Sequence, residues 1–174
     1  KQKVQKIMKN LEKYYMANKS DNIYFALLGD CTAGKNETEK FDEEVINAGI
    51  EEAQKLNNKY PDGTFTKFNF LYRKRVWIDS ENSFLGWERK RGLLMQFNSF
   101  LINRSEEDFA LNTINNMKET FNYQSDANFY DKKDFIIAIA CKAKKHCRNW
   151  TQEVLFYLVQ LSSETHLMLT LLWI

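Results

Sequence analysis

Residues 29–36 read GDCTAGKN and follow the apolar run IYFALL. Gly29, Gly34 and Lys35 fit G-x-x-x-x-G-K, the frame of a phosphate-binding loop, but Asn36 stands where Ser or Thr would hold Mg²⁺. Such a loop also needs a helix starting at the lysine, so that its amides and dipole face the phosphate. No apolar helix starts at Lys35, and the NETEKFDEE that follows is acidic and repels phosphate. The stretch therefore reads as turn chemistry. Asp30, at the end of the apolar run, either bonds a base or ribose or caps the turn.

A second cluster carries more charge. Arg73, Lys74, Arg75, Arg89, Lys90 and Arg91 surround a segment holding Trp77, Phe84 and Trp87, and Gly92 opens an apolar helix. Cations at a helix N-terminus oppose the dipole. The arrangement makes sense when an anion sits between them and the amides. A diphosphate is one such anion. Nucleic acid is another, because arginines and aromatics together stack bases. The plain alternative is a solvated basic loop with buried tryptophans. Cys141, His146 and Cys147 in CKAKKHC lack C-x-x-C spacing and a second ligand pair, so zinc is not expected. With Cys31 they make three cysteines, and no secretory signal precedes them; free thiols in a reducing compartment are expected.

The elements that must position these residues follow from periodicity. Val4, Ile7, Met8, Leu11, Tyr14 and Tyr15 recur at helical spacing over 4–18, and IYFALL at 23–28 is a short buried strand. Residues 42–60 form a second amphipathic helix, with Val45, Ile46, Ile50, Ala53 and Leu56 inward. The segment 64–77 has mostly strand alternation, and 88–102 reads as a third helix. Strands separated by crossover helices imply a parallel α/β sheet. Ligands of such sheets bind at the carboxyl ends of the strands, which brings the Asp30 loop and the basic segment to one crevice. At 44% hydrophobic and 14% aromatic the 174 residues suit one globular domain. The net charge of +2 is too small to point to nucleic acid or a membrane. The apolar stretch 154–174 is interrupted by Ser162 to His166, against a membrane span.

The block FLYRKRVW…SFLGWERKRGLLMQFNSFL resembles the glucosyltransferase domain of cyclic β-1,2-glucan synthases. NIYFALLGD and FDEEVINAGIEEAQKLNNKYP agree with the same region in the same order. The resemblance covers residues 9–113, and GWERKRG is its most specific block. It implies the N-terminal, nucleotide-binding part of a GT-A, Rossmann-like parallel sheet with flanking helices over 1–113, followed by a divergent, irregular C-terminal tail over 114–174. It also implies UDP-glucose as donor, β-1,2-glucan as product and Mg²⁺ or Mn²⁺ at the diphosphate. The parent synthase is large and membrane-embedded, with its transferase on the cytoplasmic side. Carried over by position, Asp30, Arg73, Arg75, Arg89, Lys90 and Arg91 are the nucleotide-sugar candidates. No catalytic residue and no metal ligand is assigned.

One departure from the family matters. No D-x-D occurs in the chain, although the family's carboxylates at that motif hold the cation against the diphosphate. Shifted back by one nucleotide, HLMLTLLWI (166–174) permits a reading of Leu-Asp-Ala-Asp-Thr. The expectation is thus a fragment of a UDP-glucose-dependent transferase, with an off-frame tail and no activity of its own. Nucleic acid is not an expected partner. A basic, aromatic nucleic-acid module and an inert remnant are the competing readings.

Overall fold

A computed structural model of the chain describes residues 1–19, 23–61, 66–103, 106–114, 135–142, 154–161 and 168–172. Helix α1 (Gln2–Ala17) buries Val4, Met8 and Leu11 along one stripe. Strand β1 (Ile23–Gly29) is buried along its interior, as expected of a central strand. Helix α2 (Lys40–Lys59) starts at a capping box, in which Glu39 and Asp42 each bond the other's backbone amide. Strand β2 (Phe68–Arg73) runs parallel to β1, with Phe25 opposite Phe68 and Gly29 opposite Tyr72.

One face of these two strands carries Phe25, Leu27, Phe68, Phe70 and Tyr72, and it packs with the buried residues of α1 and α2. Phe25 and Phe68 stack at 5.5 Å, and Tyr15 of α1 meets both rings edge-on. Gly49 lets α2 approach the Phe70 ring, which a Cβ there would strike. Alternation along β2 sends Tyr72 to the α2 face and Arg73 to the other.

After β2 the chain forms a small hairpin from β3 (Val76–Ile78) and β4 (Ser83–Leu85), joined by a 3₁₀ turn over Asp79–Glu81. Helix α3 (Arg89–Asn103) then buries Leu93, Phe97 and Phe100, the last against Phe109 of β5 (Phe109–Asn112). The large sheet is completed by β6 (Phe135–Lys142), β7 (Val154–Leu161) and β8 (Met168–Leu172). Its order is β5-β2-β1-β6-β7-β8.

The fold is α/β, with the expected helices and the parallel β1–β2 pair, but the sheet is mixed. β5 runs antiparallel to β2, while β6 is parallel to β1 and leads into the antiparallel strands β7 and β8. The expected strand over 64–77 divides, because Lys74 and Arg75 leave the β2 line before the hairpin begins. The tail expected to be irregular contributes β6, β7 and β8 to the sheet, and β6 joins it directly to β1. Cys141 lies in β6, whereas His146 and Cys147 fall outside the described residues. Among the described residues no helix is long and apolar enough to cross a membrane.

Candidate functional site

Because β1 and β2 are parallel and in register, their carboxyl ends lie side by side, and Asp30 and Arg73 meet there. Arg73 Nε lies 3.2 Å from Asp30 Oδ1, with the arginine side chain fully buried and the aspartate 32% exposed. The contact is a charge pairing without hydrogen-bond geometry at Nε. Burial pushes the Asp30 carboxyl above its ordinary range, and the Arg73 charge offsets part of that rise.

The other end of the Arg73 guanidinium holds the basic turn. Nη1 donates to the Arg89 carbonyl at 2.8 Å and Nη2 to the Trp87 carbonyl at 2.7 Å. Glu88 and Arg89 both adopt left-handed backbone, with φ of 51° and 49°. Non-glycine residues in that region cost about 1–3 kcal/mol each and persist only where their surroundings hold them. Gly86 is part of the same fitting, since a Cβ there would collide with the guanidinium. Gly92 leaves room for the Trp87 carbonyl in the same way. Arg73 thereby fixes where Arg89, Lys90 and Arg91 begin α3.

Arg89 and Arg91 are more open. Arg89 lies 3.6 Å from Glu81 and Arg91 lies 3.7 Å from Glu88, with arginine side chains 60% and 75% exposed. Pairs this exposed contribute little to stability.

Arg75 sits on the α2 side. It forms a two-pronged ion pair with Asp42, both side chains buried, and its Nε donates to the Thr32 carbonyl at 2.7 Å. Tyr72 donates its hydroxyl to the same carboxylate at 2.7 Å. Burial alone would raise the Asp42 carboxyl. The bonds from Arg75, the Glu39 amide and Tyr72 outweigh it and hold the group below its ordinary range. The Tyr72 hydroxyl is correspondingly driven up by burial and by Asp42. Arg73 thus stands with Asp30 at the strand ends and Arg75 on the α2 side, and the hydrogen bonds of both guanidinium groups go to the protein itself.

The loop over 29–36 presents its amides to a carboxylate of the chain itself. Lys35 and Asn36 donate their backbone N–H groups to Glu39 Oε1 at 2.9 and 3.1 Å. Helix α2 begins only at Lys40, in keeping with a turn and against a phosphate loop. Gly34 exchanges two backbone bonds with Phe84 of β4, which ties the Asp30 loop to the hairpin. Asp42, Glu39 and Gly86 were not singled out from the sequence. Glu39 and Asp42 form a capping box without the usual S/T-x-x-E/Q pattern, so local sequence offered no direct signal for it. Among the described residues no group of three or more His, Cys, Asp or Glu side chains could hold a metal ion.

No family model matches the chain. It is 38% identical over 98 residues, 56% of its length, to the cyclic beta-(1,2)-glucan synthase NdvB of Rhizobium meliloti (strain 1021). The chain spans 4% of that protein's length. It is therefore related to a small part of a glucan synthase, which points to a glycosyltransferase-related region.

Proposed function

We propose that the chain supplies the strand-end part of a nucleotide-sugar site in a glucosyltransferase region, with UDP-glucose as donor and β-1,2-glucan as product of the whole protein. The observation that carries this reading is the meeting of Asp30 with the Arg73-pinned basic turn at the adjacent ends of β1 and β2. Ligands of α/β sheets bind at such ends. The relation to a glucan synthase supplies the chemistry.

Asp30 would accept hydrogen bonds from the nucleoside. Arg89, Lys90 and Arg91 would take the diphosphate, whose charge offsets their conflict with the α3 dipole. Arg73 and Arg75 belong to the same site by holding its geometry from behind. Preorganised cations of this kind stabilise a departing nucleoside diphosphate. The described residues do not fit a divalent-cation site. In the whole protein the Mg²⁺ or Mn²⁺ carboxylates would come from elsewhere, and the transferase would face the cytoplasm. Alone, the chain would bind a nucleotide without transferring glucose, since neither D-x-D nor an assigned base is present to activate an acceptor hydroxyl.

Titration of the intact chain with UDP, followed by tryptophan fluorescence, tests this. Saturable binding that Asp30→Ala weakens is expected. Binding that is indifferent to Asp30→Ala contradicts the assignment. Binding of single-stranded oligonucleotide in preference to UDP would favour a nucleic-acid module instead.

A further inference from the structure

The β3–β4 hairpin carries an exposed aromatic surface that the nucleotide site does not use. Trp77 is 46% exposed although its ring is fixed at two points. Its indole N–H donates to Asp79 Oδ1 at 2.7 Å, and its ring meets Phe84 edge-on with centroids 5.2 Å apart. A ring already held in one orientation loses little freedom when something stacks on it. An exposed, locked tryptophan is thus better prepared for a ligand than for solvent.

The charge around it selects the ligand. Residues 76–86 include Asp79 and Glu81 and no Lys or Arg, and Glu81 lies 3.6 Å from Arg89 of the basic turn. Both carboxylates are exposed. Both accept hydrogen bonds from hydroxyl groups, and Asp79, against the indole itself, disfavours a phosphate on that ring. A pyranose ring offers a face of C–H groups for the indole and a rim of hydroxyls for the carboxylates. The hairpin is also tied to the Asp30 loop, through the paired backbone bonds of Phe84 with Gly34.

We propose that Trp77, with Asp79 and Glu81, is a stacking platform for a neutral gluco-oligosaccharide, holding the glucan beside the nucleotide site. The choice of glucan rests on the function proposed above. The platform itself rests on the ring, its lock and the carboxylates beside it.

The test uses the intact chain with ¹⁵N-labelled tryptophan, titrated with a β-1,2-linked gluco-oligosaccharide and separately with UDP. The Trp77 indole resonance, identified by its loss in Trp77→Phe, should shift saturably with the oligosaccharide. Trp77→Ala should bind it about tenfold more weakly, the loss of one aromatic stacking contact. Trp77→Phe should stay within a few-fold of the parent, and UDP affinity should be the same in both variants. Equal oligosaccharide affinity in Trp77→Ala overturns the proposal. So does a folded parent chain that leaves the Trp77 resonance unmoved by the sugar, or a single-stranded oligonucleotide that shifts it at lower concentration. Failure of UDP binding with the sugar response intact would overturn the nucleotide site and leave the platform standing. The reverse result would remove the platform alone.

Discussion

Arg75 reaches from beyond the end of β2 to Asp42 in the first turn of α2, where the two buried side chains form a two-pronged ion pair. The pair joins the helix start to the loop, because the Arg75 Nε also bonds the Thr32 carbonyl. Breaking one side leaves a buried charge without a partner, which is far costlier than replacing both. Asp42→Ala should destabilise the chain by about 3–5 kcal/mol in urea unfolding. The double change Asp42→Leu with Arg75→Met should recover part of that loss. Equal losses in the single and double variants would contradict the account.

Two carboxylates should shape the acid limb in opposite directions. The Asp42 carboxyl is held below its unfolded value, so its stabilisation is present above that value and is lost as pH falls through the folded one. The Asp30 carboxyl is raised above its unfolded value, so its contribution is present below that value and is lost as pH rises through the folded one. Asp42→Asn should therefore flatten the loss of stability in acid. Asp30→Asn should raise stability at neutral pH relative to acid. Stability measured against pH for both variants checks the two signs.

Gly86→Ala should displace the Arg73 guanidinium, which occupies the space of the missing Cβ. The bonds to Trp87 and Arg89 would be lost, and the left-handed turn at Glu88 and Arg89 would lose its anchor. A loss of about 1–3 kcal/mol is expected for the buried guanidinium's unmade bonds. UDP affinity should fall with it. Trp87→Phe, which leaves the backbone carbonyl in place, should keep the turn and serves as control.

Glu39→Gln keeps the side-chain length and removes the charge that the loop amides hold. The Lys35 and Asn36 amides should exchange with solvent faster, and stability should fall by about 1 kcal/mol, as for the loss of a cap. Unchanged exchange would mean that Glu39 does not organise the loop.

Much of this arrangement could be read from local patterns, and the remainder depends on distant partners. The stripe through Val4, Met8 and Leu11 and the run IYFALL are periodic, so α1 and β1 follow directly from them. The meeting of Asp30 with Arg73 follows from parallel strand ends. The hairpin was not legible, because three-residue strands carry too little alternation and Phe84 takes its further partner, Gly34, from far along the chain. The strand directions of β5 and β7 depend on connections rather than on composition. Asp42 takes its buried partner, Arg75, from 33 positions away. Arg73 and Arg75 share a basic run, yet the structure turns one to the α3 turn and the other to α2.

The basic turn at the start of α3 is proposed to hold a diphosphate. Calorimetric titration of the intact chain with UDP and with uridine tests it, repeated on a variant with Arg89→Ala, Lys90→Ala and Arg91→Ala. UDP should bind at least about tenfold more tightly than uridine, the worth of one charge-assisted contact or more, and the triple variant should erase the difference. Equal affinity for UDP and uridine in the parent chain, or an undiminished preference for UDP in the triple variant, would contradict it.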